Sequence, residues 1–286
     1  MATVVRSFAI QGIDGYPVDI EIKMLEGQPS ISIIGLGDQA VKEAAERIQA
    51  AIDESGYVFP KKRVIISLAP SDKKKSGSHF DLAMAVGVLC QNGDIGVKKL
   101  PDYGFIGELS LDGRLRACRG ILPMIIAGQK RGIKKIIVPE ANFKEASLVH
   151  GVEILGFYDL TGVIRYLEGK TTGIETHMEE NEKILEESER ILDFKDVKGQ
   201  DELIEAVVLA AAGGHNMLMV GEPGCGKTMI AQRIPTILPE MTEEECLEVT
   251  KIYSISGLLP NGHTLMKYRP FRAPHHNASL NALIGG

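Results

Sequence analysis

GEPGCGKT, residues 221–228, sits inside the longer run MVGEPGCGKTMIAQ (219–232), and its reading decides the fold of the second half of the chain. Gly221, Gly226, Lys227 and Thr228 fit the spacing G-x-x-x-x-G-K-[ST], with Glu222, Pro223, Gly224 and Cys225 filling the loop. Glycines let a backbone wrap tightly around an anion, so that successive N–H groups point at phosphate oxygens. In such a loop Lys227 meets the β- and γ-phosphates and the Thr228 hydroxyl binds Mg²⁺, which makes ATP with Mg²⁺ the expected ligand pair. The flanks agree. NMLMV (216–220) reads as an apolar strand entering the loop and a helix is expected from about Lys227, the strand, loop, helix order a phosphate loop requires.

Working upstream, a helix is expected over 201–212, closed by Gly213 and Gly214, with Val197, Gly199 and Gln200 of DVKGQDEL (196–203) just before it. Earlier still the composition shifts. Glu179, Glu180, Glu182, Glu186, Glu187 and Glu189 crowd a stretch with few apolar residues, so 169–192 reads as an acidic linker between two domains.

Residues 1–168 mix strands and helices without regular βαβ alternation, which predicts an α+β domain. Strands are expected at VDIEIKM (18–24), at 31–34 and at RVIISLAP (63–70); Val41, Ala44, Ala45, Ile48 and Ile52 give 39–55 a helical period. Residues 81–90 are apolar on nearly every side, as a core helix would be. YGFIGELSLDG (103–113) predicts a hairpin turning at Asp112-Gly113, followed by a helix over 121–131 that Gly132 stops and a strand over 133–139.

Bulk properties bound the function. A chain of 286 residues suits two cores, and 44% hydrophobic with 24% charged residues is ordinary for a globular protein. A net charge of −6 argues against coating nucleic acid with the whole surface. The longest apolar run, 82–90, is far short of the roughly 20 residues that span a bilayer, and the first residues carry no signal pattern, so a cytoplasmic protein is expected. Cys90, Cys118, Cys225 and Cys246 form no C-x-x-C pair, and free thiols are the expectation.

The stretch 192–259, with RPFRAPHHNASLNALIGG (269–286), resembles the bacterial magnesium-chelatase-like AAA+ family, the ComM/YifB group. GELSLDGRLRACRGILP (107–123) and IIVPEAN (136–142) resemble the same family's N-terminal domain, so the likeness covers nearly the whole chain. The resemblance implies a Lon-protease-like domain over 1–168, then the first part of an α/β P-loop (AAA+) domain over 193–286. It also implies that Val197 and Gln200 pack near the adenine.

Lon-type domains use a Ser-Lys dyad, in which a lysine takes the proton from a weakly nucleophilic hydroxyl. Aligned by that likeness, KSGSHFDLAMA (75–85) puts His79 at the serine position and RGILPMIIAG (119–128) puts Leu122 near the lysine position. A catalytically silent domain is therefore expected. Ser76 or Ser78 with Lys73, Lys74 or Lys75 is a substitute pair to be examined, although a solvated lysine loop is the simpler reading.

Basic residues cluster at Lys61, Lys62 and Arg63, at Lys73–Lys75, at Arg114, Arg116 and Arg119, and at Lys130, Arg131, Lys134 and Lys135. They are candidates to neutralise DNA phosphates, though no aromatic residues interleave to stack on bases. His275 and His276 are adjacent, which suits a shared metal badly. In the family the acidic Walker B strand follows the LIGG at 283–286, and no apolar run ending in Asp-Glu occurs over 229–286. The expectation is a fragment that holds ATP weakly without hydrolysing it. For the full-length form the resemblance implies a hexameric ring motor acting on DNA, with a chelatase motor or a non-catalytic binding module as alternatives.

Overall fold

The computed structural model describes residues 2–96, 100–171, 192–259, 265–274 and 277. Contacts divide the chain into two compact units, one of Met1–His177 with Glu248–Leu265, the other of Met178–Leu247 with Met266–Gly286.

In the first unit β1 (Thr3–Gln11) and β2 (Asp14–Leu25) form an antiparallel hairpin that runs from Thr3 opposite Ile22 to Gln11 opposite Asp14. Val18, Ile20 and Ile22 are buried while Glu21 and Lys23 are exposed, the period-two pattern of a half-buried strand. Next come β3 (Ser30–Ile34), α1 (Gln39–Glu54), β4 (Arg63–Ala69), α2 (Asp81–Asn92) and β5 (Tyr103–Phe105). They are followed by β6 (Glu108–Leu109), β7 (Leu115–Arg116), α3 (Ile121–Lys130), β8 (Lys135–Pro139), α4 (Phe143–Ala146), β9 (Glu153–Phe157) and α5 (Leu160–Leu167).

Seven strands make one mixed sheet in the order β3-β4-β2-β1-β5-β8-β9. β2 pairs antiparallel with β1 and β4, and every other pair in the sheet is parallel. Helix α2 is buried along nearly its whole length, as its uniformly apolar sequence demands, and packs on β1, β2 and α1. Helix α1 starts at Asp38, whose carboxylate accepts from Val41 N–H at 3.0 Å and from Gly77 N–H at 3.1 Å, tying the helix start to the loop before α2.

The expected hairpin over 103–113 is divided in the structure. Tyr103–Phe105 joins the sheet in parallel register with β8, and the turn at Asp112-Gly113 closes the small β6–β7 pair instead. Parallel pairing links residues distant in sequence, so local turn chemistry marks the turn but not the partner.

Gly15 marks a close approach of α3 to the hairpin: a Cβ there would lie 2.1 Å from Pro123 O. Gly15→Ala must push backbone from backbone and is expected to destabilise the first unit by about 1–3 kcal/mol. Urea unfolding followed by tyrosine fluorescence checks this.

The second unit contains α6 (Asp201–Gly213), α7 (Lys227–Arg233) and the start of α8 (Glu243–Ser256). Phe194, Val197, Val207 and Ile230 form its core, with Leu203, Met217, Met219 and Ile234 packed against them. Thr242 and Glu245 cap α8 reciprocally, Glu245 N–H to Thr242 Oγ1 at 3.2 Å and Thr242 N–H to Glu245 Oε2 at 2.9 Å. The expected strand over 216–220 enters no ladder among the described residues, and Leu218 and Val220 are each 87% exposed. A strand is defined by its pairing, so apolar sequence alone does not make one.

Most of the acidic linker, together with His275, His276 and 283–286, lies outside the described residues. Among the described residues no helix is long and apolar enough to cross a membrane, and no group of three or more His, Cys, Asp or Glu is placed to hold a metal.

Candidate functional site

Backbone conformation forms the 221–228 loop. Gly224 at φ +83 and Gly226 at φ +89 occupy the left-handed region that side chains disfavour. Helix α7 begins immediately after Gly226, with Ile230 N–H donating to Gly226 O at 3.0 Å and the Ile230 side chain buried. Lys227 reaches back over the loop, where its Nζ donates to Gly221 O (2.7 Å) and Glu222 O (2.8 Å) and lies 3.4 Å from Cys225 Sγ. The ammonium and the loop backbone are thus gathered at one point. Thr228 is exposed in the first turn of α7, and Glu222, Pro223 and Cys225 are exposed along the loop.

The segment before α6 is pinned to the same region. Asp193 and Asp196 form a capping box around the turn Phe194–Asp196. Phe194 N–H donates to Thr236 Oγ1 at 3.1 Å, and Arg233 Nε lies 3.6 Å from Asp196. Val197 packs in the core with Phe194 and Val207. Gln200 stands in the left-handed region at φ +58, a strained choice for a non-glycine residue, and its Nε2 donates to Cys225 O at 3.5 Å. Gln200 and Lys227 therefore line one cavity of about 260 Å³, walled by Leu203, Met217 and Met219. The sequence reading missed those three wall residues, although their one signal, apolar character flanking the loop, was present.

The first unit's aligned dyad positions hold other chemistry. His79 is buried, its Nε2 lies 2.9 Å from Phe8 O, and burial pushes its pKa down to about 4 against that hydrogen bond and the Asp38 charge. Leu122 is fully buried. Of the substitute pair, the Ser78 hydroxyl donates to the Glu108 carboxylate, and the fully buried Lys75 donates to Pro70 O. Desolvation lowers the Lys75 pKa. Beside them Asp81 is fully buried and gripped by Arg47, Nε to Oδ2 at 2.7 Å and Nη2 to Oδ1 at 3.1 Å. Burial raises the Asp81 pKa to about 6 although Arg47 pulls the other way.

Many of the basic residues are engaged locally. Lys62 pairs with Glu26, Arg114 with Asp112, Arg116 with Glu108, Arg131 with Asp19, Lys134 with Asp102 and Lys135 with Glu153. Each such partner cancels part of the field that a polyanion would meet.

Two family models match this chain: "Subunit ChlI of Mg-chelatase" over residues 20–142 and "Magnesium chelatase, subunit ChlI" over 193–286. It is 39% identical over 98% of its length to the uncharacterized protein Rv2897c of Mycobacterium tuberculosis. To competence protein ComM of Haemophilus influenzae it is 37% identical over 99% of its length, and to the uncharacterized protein YifB of Escherichia coli 38% over 99%. In each case the match covers 55% of the relative, so the chain spans about half the length of these curated relatives. Half of the chain is also 26% identical to 18% of the Lon protease of Rhizobium meliloti. With both family models, and likeness to ComM and YifB across nearly all of this chain, the chain belongs to the magnesium-chelatase-like family, in the ComM/YifB group.

Proposed function

We propose that the second unit is the opening part of an AAA+ P-loop module that holds ATP with Mg²⁺, and that the first unit is a Lon-protease-like domain without peptidase chemistry. The observation that carries the nucleotide reading is the meeting of Lys227, Cys225 of the glycine loop and Gln200 around one cavity. The residues fit the ligand: glycine backbone and an ammonium suit a polyphosphate, apolar walls beside an amide suit a base, and the exposed Thr228 hydroxyl suits Mg²⁺. On ligand binding Lys227 exchanges the carbonyls of Gly221 and Glu222 for phosphate oxygens.

For the whole protein we propose an ATP-driven, ring-forming motor acting on DNA in transformation or recombination, a role with which the name competence protein of its relative ComM agrees. The chelatase subunit named by the family models is the second reading, and the Lon likeness over half of the chain weighs for the DNA motor.

Calorimetric titration with Mg-ATP and with inorganic triphosphate tests the nucleotide reading. Gln200→Ala is expected to weaken ATP about 3- to 10-fold, the worth of one polar contact, while leaving triphosphate unchanged. Equal losses for both ligands would remove Gln200 from the base end of the site.

A further inference from the structure

Strand β3 ends the sheet, and β4 is its one partner among the described residues. Ser30 N–H donates to Lys62 O at 3.4 Å, so the backbone groups of Ser30, Ser32 and Ile34 face β4 and those of Ile31 and Ile33 face outward. Such an edge is usually blunted with lysine, proline or a bulge, yet SISII contains neither lysine nor proline and pairs with β4 without interruption. At its exit Ile34 is 52% exposed and Leu36 is 58% exposed at φ +56, a strained backbone presenting an apolar side chain to solvent. That exit is held firmly, with Asp38 N–H to Lys75 O at 2.9 Å and Lys75 N–H to Leu36 O at 3.1 Å.

The charge around this edge is mostly of one sign. At the entry Ser30 lies opposite Arg63, and Lys61 and Arg63 are exposed while Lys62 is paired with Glu26 at 3.4 Å. At the exit Gly37 bridges to Lys75, Lys74 is exposed and Lys73 sits 4.6 Å over the Tyr16 ring, with Asp72 close by. Five residues of strand, about 16 Å, separate the two basic ends.

We propose that the β3 edge accepts an extended polypeptide as an added strand, one with a β-branched centre and carboxylates at both ends. The outward N–H and C=O groups of Ile31 and Ile33 supply the ladder, and the basic ends set length and specificity. A second copy of this chain fits poorly, because two-fold antiparallel pairing would bring the Lys61–Arg63 end of one protomer against the Lys73–Lys74 end of its partner. A nucleic acid offers charge but not the alternating donors and acceptors of a strand. The inference concerns the first unit alone and does not depend on nucleotide binding.

The test is fluorescence polarisation of a labelled peptide, Glu-Glu-Thr-Val-Thr-Val-Thr-Glu-Glu, against the full chain at low salt. Saturable binding is expected, weakened about 10-fold or more by Lys61→Glu combined with Lys74→Glu, whose fold is checked by circular dichroism. Methylating one or the other alternate set of central peptide amides keeps the charge but removes ladder donors, and one of the two sets must cost about 10-fold. Full retention by both methylated peptides overturns the proposal. So does equal binding of a peptide with uncharged ends, binding of a single-stranded oligonucleotide where the peptide fails, or self-association of the chain that the charge reversal leaves intact.

Discussion

Lys227→Ala is expected to weaken ATP binding about 30- to 100-fold, because one charge-assisted contact to phosphate is worth about 2–3 kcal/mol. Lys227 bonds only to groups of its own loop, and those bonds are exposed, so the substitution should leave unfolding nearly unchanged. Lys227→Arg keeps the charge on a wider head and should recover only part of the affinity. Titration with a fluorescent ATP analogue, run beside a urea melt, checks both halves. A variant that loses nucleotide and stability together would mean that Lys227 builds the loop rather than serving a ligand.

The second large effect lies in the first unit. Arg47→Met leaves the Asp81 carboxylate buried without its partner, a change that costs about 3–5 kcal/mol when the carboxylate is ionised. The folded pKa of Asp81, about 6, is raised above the unfolded 3.8, so its stabilising contribution is complete below about pH 4 and is lost as pH rises through 6. The Arg47→Met penalty should therefore be largest at pH 8 and shrink towards pH 5.

His79 runs the opposite way. Its folded pKa of about 4 lies below the unfolded 6.5, so its contribution is present above 6.5 and is lost as pH falls towards 4. Each shift is worth about 3 kcal/mol, so between pH 6.5 and 4 the two nearly cancel in the unaltered chain. His79→Gln removes one side of that balance and should gain stability relative to the parent as the solution is acidified. Urea midpoints at pH 5 and pH 8 for both variants decide this; a pH-independent Arg47→Met penalty would contradict the account of the buried pair.

Where signal was local, the sequence was legible. The loop spacing, the helix starting at Lys227, the α1 period and the uniformly apolar α2 correspond to elements bounded within a residue or two. The sheet order was not legible. β1 was missed although it lies at the centre, flanked by β2 and β5, and Tyr103–Phe105 was assigned to a hairpin although its partners are β1 and β8. Parallel neighbours such as β5 and β8 share no turn, so nothing near either strand in sequence announces the other, whereas β1 meets β2 across a local turn at 12–13 whose signal went unread. At the loop, Lys227 could be read from spacing. The approach of Gln200 to Cys225 could not, because it depends on the Phe194 and Arg233 contacts that fold the upstream segment back.

The central claim is that the amides of 221–228 and the Lys227 ammonium wrap a polyphosphate. Backbone amide NMR shifts during Mg-ATP titration test it most directly. The account predicts saturable shifts at Gly221–Thr228 (221–228), with smaller ones at 197–200, all abolished by Lys227→Ala. Saturable shifts elsewhere with 221–228 unmoved, or no saturable shift at millimolar Mg-ATP, would contradict it.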